Sequence, residues 1–152
     1  INYTSTETSS GYDFVSSATS LTIVPYGFDV DEDGSLGALS DGVMIVRKML
    51  GQPIRPQPIL PIYPGIGISD EEIDANITSL IDSGALDLDK DGETKALSDG
   101  IILVRHLFGA SFAGDALITG VISPNSPYYG SDDASDSVRA NINALIPPEL
   151  TT

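Results

Sequence analysis

The sequence predicts a mainly α-helical protein: two loop-helix repeats packed with pseudo-twofold symmetry, preceded by an extended or strand-like N-terminal arm. Three observations lead there. One text occurs twice, first as Asp29-Val30-Asp31-Glu32-Asp33-Gly34-Ser35 with Ala38-Leu39-Ser40-Asp41-Gly42. It returns 58 positions on as Asp87-Leu88-Asp89-Lys90-Asp91-Gly92-Glu93 with Ala96-Leu97-Ser98-Asp99-Gly100. Apolar residues at helical spacing follow each copy, and residues 1–27 are rich in Ser and Thr. The chain therefore divides into an arm, 1–27, and a repeat domain, 28–150. Repeat one covers about 28–81 and repeat two about 86–146. Each repeat alone would expose an apolar face, and stacking the two buries it. The 152 residues are enough for two small repeats sharing one core.

Along the arm, Ser20-Leu21-Thr22-Ile23-Val24 alternates in strand fashion, and Asn2-Tyr3-Thr4 has the pattern of a glycan acceptor. After the first acidic loop, a helix carries Val43, Val46, Met49 and Leu50 on one side and ends at Gly51. Arg47 and Lys48 lie in its last turn, where positive charge suits the carboxyl end. Pro53, Pro56, Pro58, Pro61 and Pro64 then prevent regular helix and favour a stiff, polyproline-like spacer. Ser69-Asp70-Glu71-Glu72 reads as a capping box opening a helix through Ile73, Ile77, Leu80 and Ile81, which stops near Gly84.

That helix leads straight into the second acidic loop, giving a helix, an acidic loop and a helix in succession. The second exiting helix carries Leu97, Ile101, Val104 and Phe108, closes at Gly109 and repeats the basic pair as Arg105 and His106. Pro124-Asn125-Ser126-Pro127 is a turn, and a last helix runs from about 131–135 to Ile146, ended by Pro147 and Pro148. Its face Val138, Ala140-Asn141-Ile142, Leu145-Ile146 copies Ile73, Ala75-Asn76-Ile77, Leu80-Ile81, now 65 positions apart, so the second linker is seven residues longer. Because no amphipathic helix precedes the first loop, the last helix is expected to pack beside it and stand in for the missing one.

The chemistry lies in the loops. Carboxylates at alternate positions, closed by a glycine at the sixth, gather oxygens around one point while the glycine turns the backbone sharply. This is the pattern of a calcium loop, and it implies two Ca2+ sites. The text resembles the calcium-binding repeats of bacterial dockerin modules and related EF-hand-like repeats of secreted and cell-surface proteins. These read roughly as Asp-x-Asp-x-Asp-Gly, Ala-Leu-x-Asp-Gly, then an apolar helix ending in Leu-Phe-Gly. Leu107-Phe108-Gly109 and Met49-Leu50-Gly51 carry that ending here, and Gly114-Asp115-Ala116-Leu117-Ile118 is also similar. The resemblance covers about residues 28–146.

The resemblance implies an extracellular or cell-surface location and, on the dockerin side, a protein partner of cohesin type. The twelfth loop position, where a carboxylate usually closes the site, is Ser40 or Ser98, and the carboxylate comes one residue later. The expected ligands are therefore Asp29, Asp31, Asp33, the carbonyl of Ser35 and Asp41. Their counterparts are Asp87, Asp89, Asp91, the carbonyl of Glu93 and Asp99. A short closing aspartate points to a static site rather than an opening switch.

Composition narrows the function. With 22 acidic and 7 basic residues, net charge is -15, which disfavours nucleic acid and anionic membrane as partners. No apolar run reaches the length of a membrane span. There is no cysteine, so thiolate chemistry and disulfides are excluded. The chain begins at Ile1 without a basic and apolar signal segment, as expected of a processed or excised piece, and either is compatible with secretion. Only His106 could act as a neutral-pH base, and its alignment with Lys48 reads as a dipole-matching surface residue. Gly65-Ile66-Gly67 before a helix start reads as a bend rather than an anion nest. No catalytic residues are expected. The expectation is a non-catalytic calcium-binding structural protein, self-assembling into a fibre or surface array as a homo-oligomer through residues 1–27, or else a dockerin-type adaptor.

Overall fold

In the computed structural model the described residues are 27–54 and 68–146. The expected strand at Ser20–Val24, the glycan pattern at Asn2, the arm up to Tyr26, the proline spacer beyond Ile54 and the Gly65-Ile66-Gly67 bend lie outside them. The described residues are mainly helical and contain no strand. Among the described residues are four α-helices: α1 (Val43–Met49), α2 (Asp70–Asp82), α3 (Ile101–Leu107) and α4 (Ala134–Asn143). Short 3-10 turns at Gly109–Phe112 and Gly114–Leu117 connect α3 to the segment before α4. None of the helices is long and apolar enough to cross a membrane.

Local signals in the sequence set the helix ends. Ser69 and Glu72 form the reciprocal capping box at the start of α2, with the Glu72 amide donating to Ser69 Oγ at 3.2 Å and the Ser69 amide to Glu72 Oε2 at 2.9 Å. At the end of α1, Gln52 N–H donates to Arg47 O at 2.8 Å and Gly51 N–H to Lys48 O at 3.0 Å. This is a Schellman closure that needs the left-handed φ of +70° at Gly51. The same pair of bonds closes α2 through Gly84 and Ala85.

One core joins both halves. Phe28, Val30, Met44 and Ile45 from the first meet Leu86, Leu88, Ile102 and Leu103 from the second, with Ile73, Ile77 and Leu80 of α2 and Val138 and Ile142 of α4. The apolar face expected on the two exiting helices is not the one that fills it. Met44-Ile45 and Ile102-Leu103 are fully buried, whereas Leu97 is 73% exposed and Phe108 46%. The reason lies one turn earlier. Asp41 and Asp99 point inward with no exposure, and on a helix the residues three and four positions later share that face.

The stripe read from the sequence, Val43 and Val46 with Ile101 and Val104, instead lines a groove of about 400 Å³ between α1 and α3, bordered by Arg47, Arg105, Phe108 and Phe112. The glycine just before each helix packs tightly against the other helix. A Cβ on Gly42 would lie 3.2 Å from Val104 and 3.4 Å from Leu107, and one on Gly100 would lie 3.1 Å from Val46 and 3.2 Å from Met49.

The placement of α4 differs from the expectation. Asn141 on α4 donates to Leu88 O in the second loop at 3.1 Å, while Asn76 on α2 donates to Val30 O in the first loop at 2.9 Å. Each loop is thus backed by the helix that follows it at the end of its own repeat. The amide at the centre of the Ala-Asn-Ile triplet is what couples them, because a loop carbonyl facing a helix needs a donor that an apolar side chain cannot provide.

Candidate metal centre

The two acidic loops share the bonds that shape their turns. Asp29 accepts the amides of Asp33 at 3.2 Å and Gly34 at 3.0 Å, and Asp87 accepts those of Asp91 at 3.1 Å and Gly92 at 3.0 Å. Asp33 and Asp91 each receive the amide two residues ahead, at 2.8 and 2.9 Å. The tight turn puts Glu32 and Lys90 at φ of 57° and 60°, followed by Gly34 and Gly92 at 86° and 93°. Side chains other than glycine seldom adopt that conformation, so the loops hold strain where the oxygens converge.

Asp41 and Asp99 close the loops from inside. Each sits in a single π-type turn, Ala38–Gly42 or Ala96–Gly100, in which an amide reaches the carbonyl five residues back. Asp41 Oδ1 accepts Val30 N–H at 2.8 Å and its Oδ2 accepts Gly37 N–H at 2.9 Å. Asp99 repeats this with Leu88 at 2.7 Å and Lys95 at 2.9 Å. Ser40 and Ser98, which occupy the usual closing position, donate to the neighbouring aspartate instead, at 3.2 and 3.3 Å.

The result is two clusters of three carboxylates, Asp29 with Asp31 and Asp41, and Asp87 with Asp89 and Asp99. Within each, one oxygen per residue lies within 4.8 Å of the others. All but Asp87 are buried. Oxygens sharing one calcium at about 2.4 Å can be no more than about 5 Å apart, so both clusters could hold a metal ion. The donors are hard oxygens only, a set that suits Ca2+ or Mg2+ better than zinc or copper. Of the eight expected carboxylate ligands, six converge, while Asp33 and Asp91 stand outside the clusters, their Oδ1 atoms turned to the loop amides of Ser35 and Glu93.

The electrostatics of the clusters would favour a bound cation. Burial, followed by the charge of Asp33, pushes the Asp31 carboxyl up to about 6. Burial raises Asp41 to about 7 and Asp99 to about 6 despite the amides that hold them. Asp29 and Asp89 are raised for the same first cause. Lys95 reaches Asp91 at 3.4 Å and Glu93 at 3.3 Å, an exposed contact on the loop's rim rather than a counter-ion inside it.

Several supporting residues were not assigned roles in the sequence. Asn76 and Asn141 hold the loops to their helices, and Ser123 and Ser126 reach Asp89 from the second linker. The signal for the asparagines was present as a polar residue recurring inside an apolar helical face; the serines sit in an irregular turn that carries no periodic signal. His106 is half-buried, not a free surface residue. Burial lowers its pKa, with Arg139 nearby adding to the effect.

Compared with family models, curated proteins and solved structures, the chain matches none.

Proposed function

We propose that this chain is a non-catalytic, extracellular calcium-binding structural module in which two Ca2+ ions lock a pair of dockerin-like, EF-hand-like repeats into one rigid unit. The observation that carries the reading is the pair of converging carboxylate clusters, each closed by an inward aspartate. Buried carboxylates at such separation repel one another, and a divalent cation removes the penalty. Asp29, Asp31 and Asp41, and Asp87, Asp89 and Asp99, would supply the ions' charged ligands. The carbonyls of Ser35 and Glu93 and the outer Asp33 and Asp91 would complete the shell, the latter two by side-chain rotation or through water. Millimolar external calcium saturates loops of even modest affinity. The reciprocal contacts of Gly42 with Val104 and Leu107, and of Gly100 with Val46 and Met49, support pseudo-twofold packing, since such symmetry makes residue i meet j and j meet i.

In this reading residues 1–27 join the module to a neighbouring copy. The second reading, an adaptor for a cohesin-like protein, is favoured by the equivalent exposed leucines of the two copies, Leu39 at 70% and Leu97 at 73%, and by the apolar groove between α1 and α3. Deleting residues 1–20 separates them. A self-assembling subunit loses association in calcium while keeping both cation sites, whereas an adaptor keeps whatever association it has. Light scattering of both chains, with calcium and with chelator, reads out the answer; unchanged assembly after the deletion removes the arm from the account.

A further inference from the structure

The contact between an exiting helix and the helix that backs its loop carries different charges in the two repeats. In the first, Lys48 on α1 meets Asp74 on α2, Nζ to Oδ1, at 2.7 Å. The residue 58 positions after Lys48 is His106 on α3, and the residue 65 positions after Asp74 is Arg139 on α4. The anion has become a cation. A lysine facing it would repel it at any physiological pH, whereas an imidazole is uncharged near neutrality and gains its charge in mild acid.

His106 is held in its uncharged state. Burial is the main cause, the charge of Arg139 adds to it, and a hydrogen bond with the Asn143 side chain opposes both. Its Nδ1 is buried and has no hydrogen-bond partner among the described residues. An imidazolium carries a proton on both nitrogens, so charging the ring turns Nδ1–H into a buried donor without an acceptor, a costly state. Arg139 is kept in place by donating to Gly114 O at 3.2 Å. The other charged groups on neighbouring elements are engaged elsewhere or exposed. Arg105 gives Nη1 to the carbonyls of Ala116, Leu117 and Thr119, and Arg47 gives Nε to Pro53 O. Asp115 accepts Ser135 Oγ at 2.8 Å, and Asp136 is exposed.

The same helix α4 backs the second loop. Asn141 donates to Leu88 O at 3.1 Å, and Val138 and Ile142 are fully buried in the shared core. Whatever pushes α4 away from α3 is therefore felt at that loop.

We propose that His106 and Arg139 form an acid-sensitive latch: when His106 takes up a proton, repulsion from Arg139 and the stranded Nδ1–H release α4 from α3 and loosen the second loop. Below about 6.5, the ordinary histidine value, the released helix pair binds the proton more tightly than the packed one, so packing weakens as pH falls. The buried carboxylates of the loops act in the opposite sense, and they are the same in every variant used below.

His106 is the only histidine in the chain, so its imidazole NMR signal reports its charge directly. That signal is followed from pH 7.5 to 4.5 together with the exchange protection of the Val138 and Ile142 amides on α4, with Ile73 and Ile77 on α2 as reference. As the ring charges, protection of α4 relative to α2 should fall about tenfold or more, the scale of one buried donor left unsatisfied. His106→Gln, which cannot charge, should lack this fall. Arg139→Asp, which sets an anion opposite the ring as in the first repeat, should reverse it and move the imidazole midpoint above about 6.5. A ring that charges while α4 keeps its protection, equal losses in the wild type and His106→Gln, or an unaltered response in Arg139→Asp would overturn the latch. Should a variant not fold, the wild-type pairing of ring charge with α4 protection decides.

Discussion

At the residue scale, Asp41 and Asp99 combine two tasks that pull against each other. Their oxygens gather the amides that shape each loop, and they add charge to a buried cluster that already has two acids. Without a cation the folded chain binds protons more tightly than the unfolded one, because Asp41 is raised to about 7 and Asp31 and Asp99 to about 6. Stability then falls as pH rises from about 4 to about 7, the reverse of the usual behaviour of paired carboxylates. In chelator, melting temperature should be higher at pH 5 than at pH 7.5. With saturating calcium that order should disappear or reverse, since the ion displaces the protons. Thermal melts at the two pH values, each with and without calcium, check this; a chelated chain that gains stability up to pH 7.5 would contradict it.

At the scale of elements, the crossing of α1 over α3 depends on the absence of side chains at Gly42 and Gly100. Both have ordinary helical φ, -57° and -60°, so a substitution there strains packing rather than backbone. Gly100→Val should cost about 1–3 kcal/mol by overpacking against Val46 and Met49, read as a lower denaturation midpoint in calcium. A neutral result would mean the two helices separate freely. The acidic clusters were legible in the sequence because most of their carboxylates lie close together in the chain and recur at the same spacing in both copies. The closing aspartate was legible too, because serine occupied its usual position.

The helix faces were harder to read. α1 and α3 are apolar on two sides, and periodicity does not say which side meets the core; the inward Asp41 and Asp99 decide it. The partner of α4 was misread for a related reason. Order along the chain points to the loop that lacks a preceding helix, whereas Asn76 and Asn141 pair each helix with the loop of its own repeat. Ser123 and Ser126 were not legible as supports, since their contact with Asp89 joins positions more than thirty residues apart and they sit in a turn without periodic pattern.

At the scale of the whole molecule, a net charge of -15 opposes compaction, and two buried acid clusters add to that opposition in the shared core. Divalent cations act on both terms at once, so calcium is expected to govern size and rigidity together. The most direct test is the count of calcium ions bound per chain, by equilibrium dialysis of the decalcified protein at neutral pH. Two ions per chain, falling to one after Asp99→Ala, is the predicted result. No bound calcium, or an unchanged count in the Asp99→Ala chain, would contradict the account.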